Sequence, residues 1–287
     1  MAIIQKHIQQ ETVRGLLLDE LHAFPNNPFL VRDDDEMLQL IQSVKDHGVL
    51  MPIIVRPRKN GGYEIIAGHR RKRACELVGL KRIPALVRKL GTNAAVILMV
   101  DSNLHREHIL PSERAKAYKM RLDAIKRQGA RTDLTSTQVA EKLSAEIVGA
   151  AEKISKDQVR RYIRLTALCP ELLRMVDERK IALTPAVELS YLKPAEQIIL
   201  LDAMDAEQNT PSLSQAQRLK KLSQEQSLNF QIISSVLSEE KKSDWDKVTL
   251  RRDALRTYFP ASYTPLQMEQ TIWMLLKQWR ENNMKVS

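Results

Sequence analysis

Cysteine is nearly missing from this chain: Cys75 and Cys169 are the only two in 287 residues. Neither has a partner at ligand spacing, and each falls inside a helical pattern. A disulfide framework and a thiolate metal site are therefore excluded, and both read as reduced thiols buried as small hydrophobes. Long apolar runs are missing too. The longest, Ala94 to Val100, is far too short to span a bilayer, and the polar stretch Met1 to Thr12 has no signal-peptide core. No internal repeat or long low-complexity segment is evident. These absences predict a soluble cytoplasmic protein without a membrane partner, long enough for two or three small domains.

What is present in excess is positive charge. Forty-five Lys and Arg against 35 Asp and Glu leave +10, which favours an anionic partner such as nucleic acid.

Along the chain, Leu16-Leu17-Leu18 followed by Leu21 reads as a short strand, and Phe24-Pro25-Asn26-Asn27-Pro28 as a turn. Asp33 to Glu36 place acids at a helix start, where they suit the dipole better than they suit a metal. Met37, Leu38, Ile41 and Val44 make the apolar stripe of that helix, and Gly48 stops it. Val49 to Arg56 is predicted as a strand, and Asn60-Gly61-Gly62 as a hairpin turn into a second strand, Tyr63 to Ala67. Gly68 then turns the chain into a helix from Arg70 to Val78, followed by a strand at Ile83 to Val87. From Asn93 onward the pattern is helical. Ser223 to Lys247 is polar and reads as a linker region. The last helix is predicted over Pro265 to Arg280, with Thr264 as N-cap and Gln267 completing a capping box. Its face of Met268, Ile272, Leu275, Leu276 and Trp279 suits either a small core or self-association.

Two stretches carry chemistry. In Gly68-His69-Arg70-Arg71-Lys72-Arg73-Ala74 a strand, a glycine and a cationic helix start offer free backbone N–H groups, a positive dipole end and guanidinium groups. That is a receptacle for phosphate. A solvated basic helix is the alternative. In Ser155 to Leu165, Ser155 and Gln158 form a capping box, and Val159 and Ile163 are spaced to pack inward. Lys156, Gln158, Arg160, Arg161 and Arg164 would then face outward with the chemistry of a major-groove reader. Ile147 to Glu152 would be the supporting helix of a helix-turn-helix, and Thr137 to Ser144 an additional one. Arg127, Arg131 and Thr132 could add backbone contacts. An exposed amphipathic helix in a bundle is the alternative here.

The first stretch resembles the G-E-R-R-x-R-A box of the ParB/RepB/Spo0J partition proteins. Ser102-Asn103-Leu104-His105-Arg106-Glu107 resembles their E-N-x-Q-R box, and Leu110-Pro111-Ser112-Glu113-Arg114-Ala115 the L-x-P-x-E-E-A that follows. The resemblance covers roughly Leu16 to Leu192. It implies an α+β N-terminal ParB-like domain at 13–91, then an all-α helix-turn-helix domain at 92–210 with the motif near 145–167. A helical or linker region at 211–247 and a small helical C-terminal region at 248–287, a candidate for dimerisation, complete the chain.

The resemblance further implies that CTP with Mg2+ is bound by Gly68, His69, Arg70 and Arg71, with Arg73 as helper and Asn103 and Arg106 from the next helix. The implied DNA-binding residues are Ser155, Lys156, Gln158, Arg160, Arg161 and Arg164. The implied function is a nucleotide-gated dimeric clamp on double-stranded DNA, nucleoid-associated, serving a chromosome, a plasmid or an integrated conjugative element, with a ParA-type ATPase as partner. Three departures stand out: His69 and Ser102 replace glutamates, and His105 replaces glutamine. Losing both carboxylates disfavours metal-assisted hydrolysis, although Asp101 or Glu107 lies close by, so at most a slow CTPase is expected and no catalytic residue is assigned. Met51 stands before Pro52 where relatives often carry glutamine. A helix-turn-helix regulator or nucleoid-associated protein without gating is the second reading. A phosphotransferase of the related sulfiredoxin-like fold is the third: Gly68-His69-Arg70 resembles the sulfiredoxin C-H-R, but glycine stands at the nucleophile position.

Overall fold

A computed structural model of the chain describes residues 12–106, 108–129, 154–239, 258–260 and 262–284. Strands β1 (Val13–Leu17), β2 (Leu21–His22), β3 (Ile53–Pro57), β4 (Tyr63–Ala67) and β5 (Arg82–Val87) form one mixed sheet in the order β1-β5-β3-β4-β2. The β3–β4 hairpin predicted around Asn60 to Gly62 is present, closed by Arg58 N–H donating to Gly62 O at 3.0 Å. β3 starts at Ile53, not at Val49 as the apolar run suggests, and Leu50 and Met51 are 73% and 70% exposed. Apolarity alone does not extend a strand where no neighbour is available to pair.

β4 is buried on both faces, with Ile65, Ile66 and Ala67 apolar and the buried Glu64 paired to Arg56. Ile65 joins one core, with Met37, Val44, Ile53, Val55, Cys75 and Ile83, beneath α1 (Asp35–His47) and α2 (His69–Val78). Ile66 joins another, with Phe24, Phe29, Met99, Val100, Tyr118 and Val159, which draws on α3 (Thr92–Leu104), α4 (Pro111–Gly129) and α5 (Lys156–Arg164). Helix α3, expected in the second domain, is thus one layer of the sheet's own packing. Of the stripe predicted on α1, Met37 and Val44 are buried and Ile41 packs against the same core, but Leu38 is 63% exposed. Asp34 caps the helix by accepting from Met37 N, and Gly48 ends it at φ +69°.

Beyond α5, α6 (Pro170–Asp177), α7 (Leu183–Leu189), α8 (Pro194–Glu207), α9 (Leu213–Gln224) and α10 (Phe230–Ser238) share a third core built on Leu165, Leu172, Leu189, Leu200, Leu219 and Leu237. Prolines open α6 and α8, where the absent N–H costs nothing. The linker expected from Ser223 contains a turn at 225–229 and then the helix α10, which buries Ile233, Val236 and Leu237. Asn103, Arg106, α4 and α5 all belong to the unit that ends at Ser238. Helices predicted at Thr137 to Ser144 and Ile147 to Glu152, with Arg131 and Thr132, lie outside the described residues.

The second unit, 239–287, contains α11 (Pro265–Met284). Its capping box forms as predicted: Gln267 Oε1 accepts from Thr264 N at 2.8 Å and Gln267 N donates to Thr264 Oγ1 at 3.3 Å. Met268 is buried, whereas Trp273, Leu275, Leu276 and Trp279 are exposed.

Candidate functional site

The turn from β4 into α2 needs glycine. Gly68 has φ +106°, and a Cβ there would stand 2.5 Å from Ile53 Cγ2. The first intrahelical bond is Lys72 N–H to Gly68 O, so the amides of His69, Arg70 and Arg71 lie ahead of the helix ladder. Arg71 folds back across β3, its Nη1 donating to the carbonyls of Met51 (2.7 Å) and Pro52 (2.8 Å). Burial lowers its pKa, yet a guanidinium remains charged.

The last turn of α3 faces this helix start. Gly68, His69, Arg70 and Arg71 on one side and Ser102, Asn103 and Arg106 on the other line one cleft of about 190 Å³. Asn103 Nδ2 donates to Met99 O at 2.8 Å, which holds the side chain against its own helix. A larger cavity of about 520 Å³ shares Arg70 and Arg106 and extends to Arg32, His105, His108 and Glu113. The structure therefore brings together six of the seven residues expected at the phosphate site. Arg73 is the exception: it is absent from the lining and pairs with Asp33, Nη2 to Oδ2 at 2.8 Å.

Charge in the cleft is only partly compensated. Arg70 makes a bidentate pair with Asp34, at 2.7 and 3.1 Å, and lies 3.4 Å from Glu36. The Arg70 hydrogen bonds hold the Asp34 carboxyl well below its usual range, at about 2, with help from Met37 N–H. Burial and the neighbouring Arg70 both push Arg106 down. Among the described residues its guanidinium has no hydrogen-bond partner. Glu113, to which the sequence assigned no role of its own, ties the loop before α1 to the start of α4: it accepts from Leu30 N, Leu110 N and Arg32 Nη2 at 3.0–3.1 Å. Its place two residues after Pro111, in the first turn of α4, is the signal the sequence carries.

His69 Nε2 is buried without a hydrogen-bond partner among the described residues. Burial, reinforced by Lys72, lowers its pKa to about 4, so the imidazole is neutral at pH 7. Asp101 is paired with Arg121 at 2.8 Å, and Glu107 lies outside the described residues. With Asp34, Glu36 and Glu113 turned to guanidinium groups, the described donor set does not fit a carboxylate-held magnesium. Among the described residues no group of three His, Cys, Asp or Glu could hold a metal ion.

Helix α5 begins as predicted, with Ser155 Oγ accepting from Gln158 N at 3.1 Å. Val159 is buried and Tyr162 meets Tyr118 edge-on at 5.7 Å, which seats the helix on α4. Two of its arginines do not project freely. Arg164 donates to Ser190 Oγ and O at 3.1 and 2.7 Å and stacks 4.1 Å above the Tyr191 ring, and Arg161 donates to Thr184 Oγ1 at 2.6 Å. They correct the outward-facing assignment, because α7 and the turn after it supply acceptors at their reach. Arg160 is 46% exposed, 3.5 Å from Asp157, and Lys156 and Gln158 are half-buried at the start of the helix.

A mixed sheet whose central hairpin turns through glycine into a cationic helix, facing the end of α3 and followed by a helical domain, is the architecture of a ParB-like protein. Residues 3–104 match the ParB N-terminal domain. The chain belongs to the ParB/Spo0J family. It is 32% identical over 189 residues to stage 0 sporulation protein J of Bacillus subtilis (66% of this chain, 61% of that one). It is 33% identical over 174 residues to a probable chromosome 1-partitioning protein ParB of Deinococcus radiodurans (61% and 54%). A nucleoid occlusion protein of Listeria monocytogenes is 32% identical over 209 residues (71% and 66%). The matches thus span between about half and two thirds of these curated relatives' lengths. Among solved structures, the C-terminally truncated ParB of Caulobacter crescentus complexed to the centromeric parS site aligns with TM-score 0.43 and 23% identity, covering 72% of this chain and 98% of that one. The same protein complexed with CTP-gamma-S aligns with TM-score 0.32 and 25% identity, covering 68% and 99%.

Two outcomes are expected from the site's local physics. Gly68→Ala should lose about 2–4 kcal/mol in urea unfolding, combining left-handed strain with overpacking against Ile53. His69 should make stability fall with acid. Between its ordinary pKa of 6.5 and its folded value of about 4, the unfolded chain takes up a proton that the folded chain refuses. His69→Gln should flatten the decline of the unfolding midpoint across that window. Asp34 acts in the same direction but lower, its contribution present above 3.8 and lost as the pH falls towards 2.

Proposed function

We propose that this chain is a sequence-specific DNA-binding partition protein of the ParB type, acting as a dimeric clamp whose grip on DNA is controlled by CTP in the Gly68–Arg106 cleft. The observation that carries the reading is the meeting of the α2 start with the α3 end in one cleft. A triphosphate needs several donors and positive charge within reach of its oxygens. The amides ahead of the α2 ladder, Arg70, Arg71 and Arg106 would supply both, with Asn103 at the opposite wall. His69 and Ser102 provide no carboxylate, so binding is favoured over turnover, and no step here depends on a metal.

DNA would be met by α5. With Arg161 and Arg164 committed to Thr184, Ser190 and Tyr191, they would set the helix in place, and contact would fall to Ser155, Lys156, Gln158 and Arg160. The exposed apolar face of α11 would join two copies. A ParA-type ATPase is the proposed partner, and the nucleoid the proposed location. No helix among the described residues is long and apolar enough to cross a membrane. A DNA-binding regulator without gating is the second reading, favoured by the internal pairing of Arg70 with Asp34.

Arg106→Ala should abolish CTP binding in calorimetry while leaving thermal unfolding and specific DNA binding in place. Equal CTP affinity in the two proteins would remove the pocket assignment. Gln158→Ala and Arg160→Ala should each weaken binding to the specific site by about 1–3 kcal/mol if they read bases. If Arg160 contacts only phosphate, its loss would instead weaken all sequences alike and lower the salt slope by about one.

A further inference from the structure

We infer that Asp34 is an internal competitor for the phosphate-binding face of Arg70, and so sets the affinity of the cleft for polyphosphate ligands. This rests on the nucleotide reading above and adds to it a residue outside all three motif boxes.

Arg70 presents to Asp34 the same paired N–H edge it would offer a phosphate: Nη2 reaches Oδ1 at 2.7 Å and Nη1 reaches Oδ2 at 3.1 Å. Asp34 is held there for an independent reason. It is the N-cap of α1, with Oδ1 accepting from Met37 N at 3.0 Å, so its carboxylate is pre-positioned at Arg70 before any ligand arrives. The pair is asymmetric. The Arg70 side chain is 18% exposed and lines both cavities, whereas Asp34 is 41% exposed and lines only the larger one. An incoming anion can therefore displace the acid without moving the arginine. Glu36, 3.4 Å from Arg70, is a second acid on the same guanidinium. Arg106 has no hydrogen-bonded competitor among the described residues: burial and Arg70 act against its charge, and Glu113, Glu36 and Asp34 favour it without pairing to it.

A ligand would thus be met first by Arg106 and the α2 amides, and would gain Arg70 only by taking it from Asp34. A polyphosphate has the charge and the reach for both steps.

The test is a double-mutant cycle on the full chain, read by calorimetry with CTP and with inorganic triphosphate. Asp34→Asn preserves the N-cap, since asparagine caps as well as aspartate, and thermal unfolding checks that it does. It should tighten binding of both ligands about tenfold. Arg70→Ala should cost about tenfold more in the Asp34→Asn background than in the wild type, because only there is the whole guanidinium available. Unchanged or weaker binding by the Asp34→Asn protein, or strictly additive effects of the two substitutions, would overturn the inference. If the wild type binds and Arg106→Ala does not, such a result leaves the nucleotide reading standing. If neither ligand binds any of these proteins, both fall.

Discussion

The double burial of β4 is the constraint from which the rest follows. Ile65 and Ile66, adjacent in sequence, belong to two different cores because successive strand side chains point to opposite faces. One face is covered by α1 and α2, the other by α3, α4 and α5. The strand's end is therefore the one place where the start of α2 and the end of α3 can meet. Gly68 makes the meeting tight, since its contact with Ile53 leaves no room for a side chain. A site built there is shaped by packing on both sides of the sheet, and is correspondingly rigid.

Onto that scaffold the protein places more guanidinium groups than acids can fully answer. Arg71 is consumed by the carbonyls of Met51 and Pro52, Arg73 by Asp33, and Arg70 by Asp34 and Glu36. Arg106 completes the series with burial and like charge against it. The same acids that neutralise the arginines also start α1, so the electrostatics of the cleft and the capping of a helix are one arrangement. Glu113 extends it, binding the approach to α1 to the first turn of α4.

The helical domain shows a related economy. Arg164 and Lys220 stand 4.1 and 3.9 Å from the Tyr191 ring, and Lys220 also pairs with Glu188 at 2.8 Å. Cationic residues that look like surface groups on a helical wheel here join α5, α7 and α9 to one another. A basic face is thus partly structural: Arg161 and Arg164 are tied to α7 and the turn after it, whereas Arg160 of α5 is exposed.

Much of this architecture was legible from residue order alone. The hairpin, the Gly68 turn, the α1 stop at Gly48, the Ser155 cap on Gln158 N and the Thr264 capping box depend on residues within a few positions of one another, where sequence patterns are informative. The cationic character of the α2 start is plain in its residues, and its proximity to the second box was expected from the resemblance. What only the tertiary structure decided was which charges meet. Asp34 with Arg70 spans 36 positions, Arg164 with Ser190 26, and Glu113 with Arg32 81. The exposure of Leu38, Leu50 and Met51, and the folding of Phe230 to Ser238 into a core helix, belong to the same category. Propensity and periodicity describe an element and its own neighbours. Pairing across the fold is set by how the layers stack, and that is a property of the whole chain's packing.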